Sequence, residues 1–391
     1  MSLKRKTLPA LISLATLVSM QPTWAQQDQI EEVVVWGRSL QLIGTADSAS
    51  QGVIGYADFS TRPIARVGEL VEVVPGMIAT QHSGPGKANQ YFLRGFNLDH
   101  GSDFSTFFDG MPVNMRTHAH AQGYMDLNFI IPEIIERIDF QKGPYFADTG
   151  DFSLAGSNSM KTYDVLEEGF SELTLGSRDE IRFVTANSFD FAEGSLLYAL
   201  EHQQTNGFYD LEQDVRKLNG LLKYTGDFAG VPSRITLSAY DSEWTSTNQV
   251  PQRAVNNGLI DRFGFIDPDL GGESYRYSIT GNFELAESWD LNLYASSYYM
   301  SLINNPTYLL NDPINGDEFE QEDERRLFGG TLRNEAEIEL FGVPVRRTVG
   351  SDIRYDNVDE LNLFNTLSRR RISTIREDKA CLLYTSDAAD E

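Results

Sequence analysis

The 391-residue chain carries 57 acidic and 32 basic side chains, a formal net charge of −25 at pH 7. No basic field exists to neutralise phosphates, which excludes nucleic acid as a partner. The single cysteine, Cys381, excludes an internal disulfide and a cysteine-rich metal site.

Residues 1–25 read as an export signal. Lys4, Arg5 and Lys6 form a basic head, residues 8–20 are largely apolar, and small Ala25 stands before the expected cut. The stretch is too short for a spanning helix. Residues 26–53 read as an arm and linker. Within "EEVVVWG" (31–37) a β-branched run is bracketed by polar residues, with nothing local to bury against, so it suits lending a strand to a partner's sheet.

Residues 54–160 have the pattern of a compact α+β domain. In "ARVGELVEVVPG", Val67, Leu70, Val71 and Val74 recur at helical spacing and Pro75-Gly76 stops the helix. "NQYFLRGF" and "STFFDGMPV" predict short strands ending in turns. "DLNFIIPEIIERIDFQKGP" predicts a helical turn broken by Pro132, then a strand, then a Gly143-Pro144 turn.

From 161 to 380 the period becomes two. In "YRYSITGNFEL", Tyr275, Tyr277, Ile279, Phe283 and Leu285 take one face, and Arg276, Ser278, Thr280, Asn282 and Glu284 the other. Such a charged face is costly in a soluble sandwich but suits the lumen of a membrane barrel, which also looks polar on average, as the mean hydropathy of −0.33 does. Connections alternate between tight ("FAGVP", "ELAES", "LFGVP") and long (243–273, 302–323), as in outer-membrane barrels. Roughly nine strands are expected, with Phe208, Tyr209, Trp244, Trp289, Tyr298 and Tyr299 as an interfacial girdle.

These motifs resemble the TonB-dependent outer-membrane receptors. "EEVVVWG" is similar to the TonB box. "LVEVVPGM" (70–77), "YFLRGF" (91–96), "FFDGMPV" (107–113) and "IERIDFQKGP" (135–144) are similar to plug-domain motifs, in the family's order. The resemblance implies an α+β plug domain followed by antiparallel transmembrane β-barrel strands, here about nine of the 22 such transporters carry. It implies an outer-membrane location and active uptake of a scarce nutrient, a small molecule or metal chelate, with no enzyme chemistry. The implied partners are outer-membrane lipid and TonB, driven by ExbB and ExbD, with TonB meeting Glu31, Glu32, Val33, Val34 and Val35. A structural or adhesive barrel without transport is the alternative; a TonB box and a movable plug argue against it. No nucleophile elbow, Walker loop or H-E-x-x-H occurs in the chain.

Four of the five histidines gather here: in this family the segments holding His100, and His118 with His120 in "THAHA", run toward the outward plug face, and His82 lies in the loop leading up to "YFLRGF". If "THAHA" is extended, the last two point to one side. They then share a transition-metal ion with His100 and Asp99 or Asp103, or contact an organic ligand, or are merely solvated. A metal site of this kind should weaken as pH falls through about 6.5. Arg116 and Tyr124 join His100, His118 and His120 as substrate-contact candidates. Finally, "CLLYTSDAADE" (381–391) shows no alternation and resembles a translated transposase-type adapter. It is expected to be a non-native tail, loosely attached.

Overall fold

The computed structural model describes residues 48 and 50–390 except 65, 83, 146–148 and 287, with backbone alone for 386–390. The export signal and residues 31–35 therefore lie outside the described residues. The described residues fall within one compact unit.

The N-terminal part of this unit is built on a mixed five-stranded sheet. β1 (Gln51–Gly55) leads into a short helix (Tyr56–Phe59) and a 3₁₀ helix (Val67–Val73). Then come β2 (Met77–Thr80), β3 (Gln90–Leu93), β4 (Phe96–Asn97), β5 (Phe104–Phe108) and β6 (Met111–Pro112). A 3₁₀ turn (Pro132–Ile134) precedes β7 (Ile135–Lys142) and β8 (Gly156–Thr162). The sheet order is β1-β7-β8-β5-β6, with β5 and β8 parallel, while β2-β3-β4 form a separate small sheet. The predicted helix is 3₁₀ rather than α, and its four marked residues are all buried. Valines at 67, 71, 73 and 74 crowd a helical backbone, so packing rather than propensity holds the turn. Residues 51–53, read as linker, instead pair with β7.

The rest is one antiparallel meander of ten strands in chain order. These are β9 (Phe170–Leu175), β10 (Ile181–Phe191), β11 (Gly194–Thr205), β12 (Val215–Phe228), β13 (Val231–Thr245), β14 (Gly271–Ala286), β15 (Trp289–Asn304), β16 (Phe319–Leu340), β17 (Val343–Leu367) and β18 (Arg370–Asp390). The sheet is open among the described residues, with β9 and β18 at its edges. Tight turns join β12 to β13 and β16 to β17, where Ala229-Gly230 and Phe341-Gly342 both have positive φ, as two-residue hairpins require. At the other end, 246–270 and 305–318 are long.

Burial along these strands is inverted relative to a water-soluble protein. Glu201, Lys217, Lys223, Arg276, Asp323, Arg325, Arg354 and Asp356 are buried. Leu237, Tyr277, Ile279, Leu293, Phe328 and Ile353 are exposed on the opposite face. Exposed apolar surface costs roughly 25 cal/mol per Å² in water, whereas a bilayer removes that cost. The polar face is covered by the N-terminal domain, whose apolar cluster runs on into wall residues Val184, Ala186, Leu197, Ala199, Leu221 and Tyr240. No described helix is long and apolar enough to cross a membrane.

Two expectations need correction. Trp244 and Tyr298 are no girdle residues: both are buried on the inner face, packed with Ala88, Met115 and Tyr124. Residues 381–390 do not hang loosely either. They extend β18, a tenth strand, with Cys381 opposite Asn357 and Tyr384 opposite Arg354. An edge strand offers main-chain hydrogen bonds that do not read side chains, so an extended segment pairs with it whatever its pattern.

Candidate functional site

The segment following β6 is a closed loop held from within and from the wall. Asn114 is its hub. Its Oδ1 accepts from the Thr106 amide (2.7 Å), and its Nδ2 donates to the carbonyls of Gly101 (2.9 Å), Phe104 (3.0 Å) and Gly123 (3.1 Å). A bridge between Met115 and Tyr124 shuts the loop. Side chains of the wall then grip its main chain. Arg276 donates to the Val113 carbonyl (3.3 Å), Arg354 to that of Asn114 (2.8 Å), and Arg325 to those of Arg116 and Thr117. Ala119 is held at both ends: its amide donates to Asp323 Oδ2 (3.0 Å), and its carbonyl accepts from Gln321 Nε2 (2.7 Å).

This grip separates the two histidines that an extended "THAHA" would have aligned. His118 turns inward, stacked on Tyr124 at 4.0 Å between ring centres with an interplanar angle of 2°. The His120 amide donates to His118 Nδ1 (3.1 Å), which assigns the proton of His118 to Nε2, 3.2 Å from the Tyr298 hydroxyl. His120 is the opposite tautomer. Gln321 uses its Nε2 on Ala119, so its Oε1 faces His120 Nδ1 (2.9 Å), and that nitrogen carries the hydrogen. His100 matches His120, because its Nδ1 faces the carbonyls of Ala88 (3.1 Å) and Asn89 (3.0 Å). His120, His100 and His82 form a row, with ring centres 4.7 Å and then 5.2 Å apart. The wall residues contacted are Trp244 and Gln321, near the ends of β13 and β16 that carry the long loops, and Tyr298 in the middle of β15.

Electrostatics keep these rings neutral. Burial, then Lys87, lowers His82 to about 4. Burial lowers His100, and pushes His118 and His120 well below the ordinary imidazole value. The expected titration near 6.5 therefore moves downward, because a charged ring here would lose its hydration. Lys87, itself buried, is lowered to about 8 by burial against the pull of Asp99.

The remaining candidates fall as follows. Arg116 pairs with Asp151 (2.6 Å) and lies 4.3 Å over the Tyr384 ring, so its charge is already matched. Tyr124 is buried, and its hydroxyl accepts from the Ala88 amide (2.9 Å). Asp99 Oδ1 stands 3.8 Å from His100 Nε2. Asp103 accepts from Ser102 (2.8 Å). The set His100, His118, His120 and Asp99 does not converge as one ligand group. Among the described residues the group of three acidic or imidazole side chains whose ligand atoms all lie within 4.8 Å of one another is Asp267, Asp269 and Glu318, in and beside the long loops. Sequence reasoning missed Lys87, Gln321, Asp323 and Arg325. The last three sit at every second position of "EQEDERR", so a charged run with period two was the available signal.

A plug domain seated on the polar inner face of an outward-apolar antiparallel sheet defines a plugged membrane β-barrel. A family model, the TonB-dependent receptor plug domain, matches residues 45–157. The chain is 29% identical over 281 residues to the vitamin B12 transporter BtuB of Vibrio vulnificus (strain CMCP6), across 70% of this chain and 42% of that protein. In fold it resembles the ferric citrate transporter FecA in its unliganded form (TM-score 0.62, 14% identity, 87% of this chain and 53% of that one). It also resembles the copper transporter OprC (0.60, 15%, 85% and 50%) and the siderophore receptor PirA from Acinetobacter baumannii (0.56, 15%, 80% and 48%). The chain thus spans about half the length of these relatives. Residues 45–157 thus match the plug domain of the TonB-dependent receptors, and the strands that follow resemble in fold the wall of such receptors.

Proposed function

We propose that the chain is the plug and first wall of an outer-membrane receptor that takes up a scarce nutrient, a metal or metal chelate, under TonB, ExbB and ExbD. The observation that supports this reading most is the placement of the 113–124 loop. It lies where the plug meets the long-loop ends of the strands, the side from which an outer-membrane barrel is reached from outside. Substrate meets the histidine row there. Segment 31–36, with Glu31 and Val33–Val35, lends a strand to TonB, and a pull on it reaches the plug through main-chain hydrogen bonds. The similar proteins named above carry vitamin B12, copper, siderophores or ferric citrate by their titles, which favours a metal-linked cargo. Deleting residues 31–36 from the intact receptor in cells is expected to abolish energised uptake while surface binding of the substrate persists. Normal transport without the segment would refute the TonB reading.

A further inference from the structure

The two tautomers described above divide the histidines by what their rings have left to offer. His118 uses one nitrogen as acceptor and the other as donor, so no lone pair remains. His100 and His120 each direct Nδ1–H at a carbonyl-type oxygen, and the neutral ring then presents Nε2 as a bare lone pair. That is the arrangement of a metal-ligating histidine, whose far N–H is held by an acceptor that fixes the ring and raises its basicity. His100 Nε2 also faces Asp99 Oδ1 at 3.8 Å, too long for a hydrogen bond. Two donors each about 2.0–2.2 Å from one shared ion stand roughly 3.3–4 Å apart, so this separation fits a common metal.

We propose that His100 and Asp99, adjoined by His120 and closed by His82, bind one first-row transition-metal ion on the outward face of the plug. The proposal rests on the receptor reading and names the chemistry its outward face selects. His100 and Asp99 are the preformed pair. The donors of the full set do not yet converge, and His82 is the ring able to move in, being half-buried and without a hydrogen bond to a described residue. Imidazole with one carboxylate favours copper, zinc or nickel over calcium or magnesium. Lys87 is the opposing influence: its charge bears on His82, His100 and His120 alike. It weakens a cation's binding without preventing it, which suits a site that must also release its cargo.

The test is titration of the purified chain in detergent with Cu²⁺, read by electron paramagnetic resonance, and with Zn²⁺ by calorimetry. One ion per chain is expected, with imidazole nitrogen couplings on the copper. His100→Ala should remove the site, and His82→Ala, at a partly buried position, should weaken it with the fold intact. Gln321→Leu, which strips the acceptor from His120 and the donor from the Ala119 carbonyl, should weaken binding about 10–100-fold. Lys87→Met should tighten it, whereas an anionic organic ligand would lose affinity on that change. His202→Ala, on an exposed strand position, should leave binding unchanged. Binding that is indifferent to His82, His100 and His120, or weakened by Lys87→Met, overturns the proposal. Binding in detergent needs no TonB, so the metal site can fail while segment 31–36 still proves essential for uptake, and the reverse.

Discussion

Arg325→Met would test whether the wall holds the plug through buried charge. The guanidinium is almost fully buried and chelates Asp323 through Nε (2.7 Å) and Nη2 (2.6 Å). It also donates to the carbonyls of Arg116 and Thr117 and lies 3.9 Å from Asp356. Methionine fills the volume but leaves the Asp323 carboxylate in a site of zero exposure, with the Ala119 amide as its donor from the plug. Breaking a buried pair from one side costs about 3–5 kcal/mol. Because the lost hydrogen bonds other than the Asp323 chelate join plug to wall, the cost should appear as local opening of the loop. At 1.36 kcal/mol per decade, amide hydrogen exchange at 117–120 should quicken at least roughly 100-fold. The double variant Asp323→Asn/Arg325→Met removes both charges. It should lose only hydrogen bonds to plug carbonyls, at about 1 kcal/mol each, so its exchange should lie between wild type and the single variant. Exchange measured by mass spectrometry on the three proteins in detergent decides the matter. A single variant no more labile than the double would refute the assignment of an uncompensated charge.

Asn114→Ala should destabilise the plug by more than about 3 kcal/mol, because one buried amide, three carbonyls and their solvation are at stake; protease nicking of the 101–124 region in an otherwise intact chain is the readout. Ile279→Lys, on the outward face of β14, should cost about 2–4 kcal/mol of membrane stability if it lies near the bilayer midplane. Its inward neighbour Ser278→Ala should cost far less, and equal effects in a lipid-bilayer unfolding assay would contradict the proposed orientation.

Much of the fold was legible because it rests on periodicity. Tyr277 and Ile279 against Arg276, Ser278 and Thr280 declare a two-faced strand from sequence alone, and the four ordered plug motifs declare the plug. The failures are instructive in kind. Trp244 and Tyr298 were assigned by composition to a girdle, but a strand's pleat sends residues to both faces, and which one a given aromatic takes depends on register. "CLLYTSDAADE" lacks a strong pattern yet pairs, since an open edge recruits backbone. The sequence grouped His100, His118 and His120 as candidates, but it did not contain the geometry the structure gives them. His118 and His120 diverge because Asp323 and Gln321, some two hundred positions away, seize the main chain of Ala119 between them. No local reading of "THAHA" contains that information, nor the tautomers that follow from it.

The grip on the loop has a consequence for which residues the loop can display. Arg276, Arg354, Arg325 and Gln321 take hold of carbonyl oxygens at 113, 114, 116, 117 and 119, atoms that every amino acid supplies. Side chains at most of these positions can therefore be exchanged without unfastening the loop, the exceptions being Asn114, which works from its side chain, and proline at 119, which would lack the N–H that Asp323 accepts. Apart from Gln321, which also faces His120 Nδ1, anchorage and display are thereby uncoupled: the wall recognises the path of the chain, and the residues shown along that path are free to drift while the plug stays seated.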